Sequence, residues 1–131
     1  MEKVVITGMG TISPLGLTVE ESWKNVVDGV SGVGPITLFD PARLNVHFAA
    51  EVKNFIPENY MDTKEARRRD RFEQLGIAAA KDALASSGLE ITESNAGRVS
   101  VLVSSATYSF SRGRRLFVAL FRSLNNWLPK P

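Results

Sequence analysis

Residues 4–16 read Val-Val-Ile-Thr-Gly-Met-Gly-Thr-Ile-Ser-Pro-Leu-Gly, and this stretch decides the fold. The run from Lys3 to Thr7 is rich in β-branched apolar residues, a pattern typical of a buried strand. It ends at Gly8-Met9-Gly10, which favours a turn. The stretch therefore predicts a strand at residues 3–8 that leaves through a glycine turn.

The segment after this turn predicts a helix. Thr18 and Glu21 form a capping box, because the Thr18 hydroxyl can bond the backbone N–H of Glu21 while the Glu21 carboxylate reaches back. Apolar residues follow at i, i+3, i+4 and i+7, on one helical face: Trp23, Val26, Val27 and Val30. Gly29 is suited to the end of this helix.

A second helix is predicted to open near Asp62 or Thr63 and to run to about Ser86, before Gly88. One face of it carries Phe72, Leu75, Gly76, Ala79, Ala80 and Ala83. These side chains are mostly small, so another element can approach the helix closely.

Two further segments complete the predicted fold. Residues 98–104, with the apolar run Val99 to Val103, predict another buried strand, and residues 45–52 predict an edge strand or a hairpin arm. Strands that alternate with helices indicate an α/β protein. We therefore expect parallel-type strands at residues 3–8 and 98–104, packed against the two helices.

Composition excludes several kinds of site. The 131 residues contain no cysteine and one histidine, His47, so a thiolate nucleophile, a disulfide and a multi-histidine metal cluster are excluded. We predict no cofactor and no metal, and we interpret His47 as an ordinary surface or partly buried residue. No apolar run approaches the roughly 20 residues of a membrane-spanning helix. The N-terminus has no signal or transit peptide, so a cytoplasmic location is expected.

Gly8-Met9-Gly10 after a predicted strand also invites a dinucleotide-binding interpretation. The third glycine position is occupied by Ser13, Pro14 follows, and the capped helix begins only at Thr18. A phosphate group would therefore not lie at a helix N-terminus, and we discount this interpretation.

Four stretches occur in a set order along the chain. They are residues 4–16, then Trp23 with the turn Gly29-Val30-Ser31-Gly32, then Lys64-Glu65-Ala66-Arg67-Arg68-Arg69-Asp70, and finally Ser87-Gly88-Leu89-Glu90-Ile91-Thr92. Together they resemble the start of the β-ketoacyl-[acyl-carrier-protein] synthases, in particular the type II enzymes that elongate acyl chains on acyl carrier protein. The resemblance implies a partial thiolase-like layered α/β fold, of which only the N-terminal strands and helices are present. It also implies a homodimer, since the family members are homodimers.

The resemblance covers about residues 3–106 and then stops. Where the family has a glycine-rich turn, this chain has Ser104-Ser105-Ala106-Thr107, so the family's acyl-pocket role is not carried over to Thr107. The family's nucleophilic cysteine, two catalytic histidines and a lysine lie in a part that this chain does not have. Neither Ser104 nor Ser105 has a downstream histidine to activate it. We therefore expect a truncated relative of the 3-oxoacyl-[acyl-carrier-protein] synthases, the acyltransferases of fatty-acid elongation, that is inactive alone and has no catalytic residue of its own.

One functional feature is predicted on the second helix. Lys64, Arg67, Arg68 and Arg71 recur at i, i+3, i+4 and i+7 and so form one basic stripe. Positive charge in the first turns opposes the helix dipole at a cost of about 0.3–1 kcal/mol per exposed group, which an anionic partner would offset. The resemblance implies that Lys64, Arg67 and Arg68 dock acyl carrier protein, and Arg71 is added from the stripe alone. The alternative is a solvated face, partly neutralised by Asp62, Glu65 and Asp70.

The end of the chain differs in charge from the rest. Residues 1–106 hold 11 Lys or Arg and 14 Asp or Glu, a net charge of −3, whereas residues 107–131 hold 5 basic residues and no acid, a net charge of +5. From Arg114 to Leu128 apolar residues recur at helical spacing beside arginines, the pattern of a basic amphipathic helix. We interpret residues 107–131 as an unrelated tail, the product of a shifted reading frame or an unremoved intron. The alternative is a binding module for an anionic membrane or nucleic acid, although no nucleic-acid partner is expected.

Overall fold

The helices and strands lie in two units of the chain. The structure is a computed structural model that describes residues 3–102. The chain divides into two compact units, Met1–Gly88 and Leu89–Pro131. Among the described residues, the first unit contains, in chain order, α1 (Val19–Val27), β1 (Gly34–Pro35), β2 (Phe48–Ala49), a 3₁₀ turn (Pro57–Asn59), α2 (Thr63–Ala66) and α3 (Arg71–Ser87), and the second contains a 3₁₀ turn (Ala96–Arg98).

The first helix begins at the predicted cap. The Thr18 hydroxyl accepts a hydrogen bond from Glu21 N at 3.1 Å, and the Glu21 carboxylate accepts one from Leu17 N at 2.8 Å. The capping box is therefore confirmed, with its carboxylate bonded to the residue before the N-cap. Gly29, at φ 67°, lies just beyond the last turn of α1, as predicted for the end of this helix.

Polar side chains attach α1 to the turn that precedes it. Ser13 and Gly16 close that turn by two reciprocal backbone hydrogen bonds, of 2.9 and 3.2 Å. The buried Ser22 hydroxyl donates to Gly16 O at 3.3 Å. Asn25 Nδ2 donates to Leu15 O at 2.5 Å. Hydroxyl and amide groups, rather than apolar side chains, therefore hold this helix in place.

The predicted apolar face of α1 is exposed. Trp23 is 67% exposed, and Val26, Val27 and Val30 are also about half exposed or more. The residue of α1 that is buried is the small Ser22. Helical periodicity predicts which side chains share a face, but it does not say which face meets a neighbouring element. Within residues 3–102, no packing buries the apolar side of this helix.

The paired strands of the first unit are short. β1 and β2 are antiparallel, with Gly34 opposite Ala49 and Pro35 opposite Phe48. Ile36 N also donates a hydrogen bond to His47 O, just before β2, at 3.0 Å. The prediction of an edge strand or hairpin arm within residues 45–52 is therefore confirmed for its two central residues.

The buried Glu51 carboxylate ties the two arms of this pair together. It accepts hydrogen bonds from Thr37 Oγ1 at 2.7 Å, from Thr37 N at 3.0 Å and from Leu38 N at 3.2 Å. These bonds favour the charged carboxylate, and the bond from the Thr37 hydroxyl has the largest effect. The pKa of Glu51 is therefore lowered from its ordinary value.

The strands predicted at residues 3–8 and 98–104 do not form within the described part of the chain. Residues 3–12 and 99–102 belong to no strand ladder, and residues 103 and 104 lie outside the described residues. Val4 and Ile6 are 97% and 83% exposed. A buried strand requires neighbouring strands that pair with its backbone and layers that cover its faces. Residues 3–102 supply neither, so the apolar run has the composition of a buried strand without its surroundings.

The second predicted helix is interrupted. α2 and α3 are separated by residues 67–70, so the prediction of one continuous helix is wrong there. Asp70, the N-cap of α3, has φ −70° and ψ 155°, an extended conformation that a helix interior does not allow. α2 has its own N-cap, since Asp62 Oδ1 accepts a hydrogen bond from Glu65 N at 2.8 Å. Asp62 therefore caps α2 with its side chain, and Asp70 occupies the N-cap position of α3.

Gln74 bridges the interruption. Its side-chain amide donates to Ala66 O at 2.9 Å and to Arg69 O at 3.3 Å. Both carbonyls lie at or beyond the end of α2, and Ala66 O also accepts a long backbone hydrogen bond from Arg69 N, at 3.3 Å. At the other end of α3, Gly88 has φ 66°, so the predicted C-terminal end of this helix is confirmed.

Gly8 and Gly10 lie directly against α3. A Cβ atom at Gly10 would lie 2.1 Å from Ala79 O, and one at Gly8 would lie 2.3 Å from Ala83 O. The predicted close approach to the small-residue face of this helix is therefore confirmed for its second half, because the two glycines have no side chains. At Gly76, in the first half, an added Cβ atom would meet nothing within 4 Å.

The apolar core of the first unit is small. Its buried apolar residues are Phe55, Met61, Ala66, Ile77 and Ala78. The rings of Phe55 and Tyr60 stack with their centroids 5.5 Å apart. All of these residues belong to the loop before α2, to α2 and to α3. The basic residues of that region are therefore attached to the part of the described chain with the most buried apolar side chains.

The second unit begins with a turn held by one side chain. Asn95 Oδ1 accepts a hydrogen bond from Thr92 N at 2.8 Å, and Asn95 Nδ2 donates to Glu90 O at 2.8 Å. The predicted tail, residues 107–131, lies outside the described residues. Of the helices within residues 3–102, none has the length and apolar character needed to cross a bilayer.

Candidate functional site

The four predicted basic residues lie on α2, on the turn after it and on the first turn of α3. Lys64 is in α2, Arg67 is the C-cap of α2, Arg68 follows, and Arg71 is the first residue of α3. All four are exposed. Because the chain leaves the helix between α2 and α3, the spacing does not place Arg71 on a common helical face with Lys64. The single helical stripe is therefore not formed.

Arg71 is directed toward the loop at residues 52–55. Its guanidinium donates to Val52 O at 3.3 Å and to Phe55 O at 3.5 Å. Its Cζ atom lies 4.6 Å from the centroid of the Phe55 ring, a cation–π contact. Arg71 thus makes three contacts with two residues of the chain, Val52 and Phe55. Its sequence spacing alone groups it with the docking residues.

The other three residues, Lys64, Arg67 and Arg68, form what we call the basic cluster. Within residues 3–102, no ion pair or side-chain hydrogen bond involves the cluster. Glu65 is instead ion-paired with Arg69, and Asp62 caps α2. Two of the three acids predicted to neutralise the stripe therefore bond to partners outside the cluster.

Arg69 is a structural residue that the sequence analysis missed. Its side chain is 9% exposed and bonds Glu65 at i, i+4 spacing. That spacing is the signal that would have found it, because an acid and a base four residues apart are neighbours on a helical turn. Arg69 Nε is buried without a hydrogen-bond partner in the described structure. One basic residue of the run is therefore partly buried, whereas the cluster around it is exposed.

The interruption also changes the electrostatics of the cluster. Arg67 and Arg68 lie between α2 and the N-cap of α3, so neither is inside the first turn of a helix. The predicted cost of cations within a first helical turn therefore does not apply to them as it does to Arg71. Arg71 does occupy the first position of α3, where positive charge is unfavourable. The two carbonyl oxygens that it contacts supply compensating negative partial charge.

The remaining sequence candidates are one histidine and three hydroxyl residues. His47 is exposed. Ser104, Ser105 and Thr107 lie outside the described residues. In residues 3–102, no three histidine or carboxylate side chains come together as metal ligands do. Within residues 3–102, the arrangement presents three exposed cations, Lys64, Arg67 and Arg68.

An open groove of about 860 Å³ lies beside Arg71. Its lining residues include Glu51, Lys53, Phe55 and Ile56. The Glu51 carboxylate bonds the Thr37 arm, and the Arg71 guanidinium bonds backbone carbonyls. These two charged groups of the groove are therefore used within the chain, and the cluster remains the better candidate site.

A family model matches most of the chain. The model of the β-ketoacyl synthase N-terminal domain covers residues 1–121. The chain therefore belongs to the β-ketoacyl synthase family, as an N-terminal segment, which confirms the resemblance found in its opening stretch and in the three stretches that follow.

Curated relatives narrow the class. The chain is 46% identical over 104 residues to 3-oxoacyl-[acyl-carrier-protein] synthase 2 of Staphylococcus aureus (strain COL), and 52% identical over 103 residues to the protein of the same name from Vibrio harveyi. Each match covers 79% of this chain and 25% of the relative. The chain thus spans about a quarter of the length of these relatives.

A solved structure gives the same class. The ishigamide ketosynthase/chain length factor is similar with a TM-score of 0.58 and 35% sequence identity, over 66% of this chain and 21% of that chain. This likeness and the family match imply a thiolase-like fold. The few helices and strands of residues 3–102 are consistent with a part of that fold.

Proposed function

We propose that this chain supplies the N-terminal scaffold and a carrier-docking surface of a 3-oxoacyl-[acyl-carrier-protein] synthase, an acyltransferase of fatty-acid chain elongation. The sequence identity of 52% to a synthase of that name supports the assignment. The observation that carries the docking part is the basic cluster, three exposed cations that form no ion pair with the described acids. The partner in this proposal is acyl carrier protein, which the names of the relatives specify for those enzymes.

The chain alone does not catalyse condensation in this proposal. The reaction begins with transfer of an acyl group from a carrier thioester to an enzyme thiolate, which needs a sulfur nucleophile and hydrogen-bond donors for the thioester oxygen. The 131 residues contain no cysteine and one histidine, and that histidine is exposed on a surface loop. The chain therefore contributes binding and support, and the bond-making groups must come from elsewhere.

An acyl-transfer assay tests this statement. The purified 131-residue chain is incubated with acyl carrier protein that bears a radiolabelled acyl group. The chain is then separated from the carrier under denaturing conditions. We expect no label on the chain, whereas a full-length synthase run in parallel should become labelled. A labelled adduct on the chain, free of full-length enzyme, would contradict the proposal.

Docking has a separate physical basis. Exposed cations that form no ion pair within the described chain are available to pair with an incoming anion. Charge complementarity of this kind raises the association rate and fixes orientation more than it adds affinity, and it weakens with salt. An acidic carrier protein should therefore associate with Lys64, Arg67 and Arg68 in a salt-dependent way.

Charge reversal tests the docking surface. The double variant Arg67→Glu/Arg68→Glu should lose carrier binding at low salt, because attraction becomes repulsion. The matched control is Lys24→Glu/Arg43→Glu, which reverses two exposed cations outside the cluster. It has the same net charge as the test variant. We expect the control to bind nearly as the original chain does. Equal losses in the two double variants would show that net charge alone, and not the cluster, governs binding.

A further inference from the structure

We propose that Arg71 is a positioning residue for the basic cluster and not one of its docking charges. The inference rests on the proposed docking of a carrier protein, and it deepens that proposal by separating two roles within one basic run. Sequence spacing assigns all four cations the same role. The contacts of Arg71 assign it a different one.

The first step concerns the turn that Arg71 holds. Its guanidinium bonds Val52 O and Phe55 O, the carbonyls on the two sides of Asn54. Asn54 has φ 58°, in the left-handed region that asparagine adopts more readily than most residues other than glycine. The two bonds from Arg71 join the carbonyls on either side of this turn to α3. They therefore attach the turn to the helix.

The second step connects this turn to α2. The Arg71 guanidinium lies over the Phe55 ring, and the Phe55 ring stacks on Tyr60 with an interplanar angle of 16°. Tyr60 closes the 3₁₀ turn, since its N–H bonds Pro57 O at 2.9 Å. Lys81, ten residues along α3 from Arg71, bonds Tyr60 O. Two cations of α3 therefore hold the loop before α2, one at its start and one at its end.

The third step is the consequence for the cluster. Only Met61 and the cap residue Asp62 separate this loop from Thr63, the first residue of α2. Met61 is buried, and its N–H bonds Pro57 O at 3.0 Å. The direction of α2, and with it the exposure of the cluster, thus depends on the loop that Arg71 fixes. Arg71 acts on docking through this loop and not through its own charge.

Substitutions that keep the charge separate the two roles. Arginine forms a planar fork that bonds two acceptors and stacks on a ring, whereas lysine provides one point charge. Arg71→Lys therefore removes the positioning contacts and retains the charge. Arg67→Lys is the matched control, because a docking charge in the exposed cluster needs no fork. Arg71→Gln and Arg67→Gln remove the charge at the same two positions.

The experiment measures two properties of each variant of the full chain. Amide hydrogen exchange at Asn59, Tyr60 and Met61 reports the order of the loop, since all three N–H groups are bonded within it. Affinity for acyl carrier protein, at low and at high salt, reports docking. Exchange at Ser22 N, which bonds Thr18 O in α1, is the internal control for global unfolding.

We expect Arg71→Lys to raise exchange at the three loop amides about tenfold. This is the combined effect of losing one cation–π contact and two long hydrogen bonds donated by a charged group. Its carrier affinity should fall by a similar factor at low and high salt. Arg67→Lys should leave both properties within about twofold of the original chain. Arg67→Gln should lose affinity at low salt and little at high salt, whereas Arg71→Gln should lose it at both.

Two results would overturn the positioning role. One is an Arg71→Lys variant whose loop exchange and affinity match those of Arg67→Lys. The other is an Arg71→Gln variant whose affinity loss disappears at high salt, as for a docking charge. A different failure, in which the original chain does not bind the carrier at any salt concentration, would reject the docking proposal itself. If Arg71→Lys also exposes Ser22 N, Arg71→Gln and Arg67→Gln are compared at high salt under conditions in which Ser22 N stays protected in both, and equal affinities would count against the inference.

Discussion

The Ser86 hydroxyl bonds both backbone polar groups of Met9. It accepts a hydrogen bond from Met9 N at 2.9 Å and donates toward Met9 O at 3.0 Å. Ala83 O lies 3.1 Å from the same oxygen, so the single hydroxyl hydrogen is shared between two carbonyls. One side chain of α3 therefore fixes the backbone between Gly8 and Gly10, where close packing has already brought the segment onto the helix.

Removal of this hydroxyl should loosen the segment. Ser86→Ala leaves Met9 N and O without their partner, and we expect a loss of about 0.5–1.5 kcal/mol in the free energy of unfolding, the usual net value of such bonds. Urea denaturation followed by circular dichroism measures it. Ser100→Ala, at an exposed position in the second unit, is the control. The same denaturation midpoint for Ser86→Ala and the original chain would mean that the hydroxyl contributes nothing.

A side chain at Gly10 should be far more damaging. Gly10→Ala would place a Cβ atom 2.1 Å from Ala79 O, a backbone atom that cannot move away alone. The segment or α3 must shift, at a cost of about 1–3 kcal/mol or more. Gly76→Ala is the matched control, because its Cβ atom meets nothing within 4 Å and it lies inside a helix.

The two alanine variants should therefore move stability in opposite directions. Gly76→Ala should stabilise by about 0.5–1 kcal/mol, since alanine loses less conformational freedom in a helix than glycine does. Denaturation curves of both variants, recorded side by side, give the comparison. A Gly10→Ala variant as stable as Gly76→Ala would be incompatible with the close approach described above.

The cap of α1 can be tested in the same way. Thr18→Ala removes the oxygen that accepts from Glu21 N, and we expect a loss of about 1 kcal/mol. Thr18→Ser retains the hydroxyl and should stay within a few tenths of a kcal/mol of the original chain. The far-ultraviolet signal during urea denaturation measures both variants. If serine and alanine proved equally destabilising, the methyl group rather than the hydroxyl of Thr18 would be the important contact.

Glu51 should make stability depend on pH. Hydrogen bonds, chiefly from the Thr37 hydroxyl, lower the folded-state pKa of Glu51 from its ordinary value of 4.5. The unfolded chain therefore binds a proton at a higher pH than the folded chain does, and stability from this group is complete above the ordinary pKa and is lost as pH falls through the lowered one. Denaturation midpoints from neutral pH down to about pH 3 should show this decline.

A neutral variant isolates the contribution of this carboxylate. Glu51→Gln cannot change charge, so its midpoint should decline less with acid than that of the original chain. Glu58→Gln, on the exposed 3₁₀ turn, is the control for general charge effects. An acid dependence that is identical in the original chain and in Glu51→Gln would show that the carboxylate does not couple folding to pH.

Local signals predicted the helix ends well. The Thr18 cap and the Gly88 end both depend on neighbouring residues and on backbone conformations that particular side chains favour, so the sequence contains the whole cause. The interruption before Arg71 escaped prediction because apolar and basic residues keep helical spacing through it. Asp70 is a signal, as a residue that favours N-caps, but it stands in a run whose other residues keep helical spacing.

Non-local structure was predicted less well, for a physical reason. The run from Val4 to Ile6 has strand composition, yet strand formation depends on partners that residues 3–102 do not provide. The candidate site likewise depends on contacts between residues that are distant in sequence. The basic character of residues 64–71 is plain from the sequence, whereas the contacts of Arg71 with Val52 and Phe55 join residues 19 and 16 positions apart. No spacing rule specifies such contacts.

The polar attachment of α1 has a thermodynamic consequence. Apolar packing weakens on cooling because apolar surface carries a large heat-capacity change when water reaches it. α1 is held by Ser22, Asn25 and its cap, while Trp23 and the valines already face outward. Detachment of this helix should therefore carry a small heat-capacity change. Its hydrogen bonds to the turn at residues 13–16 should persist at low temperature, where contacts made by apolar burial become weaker.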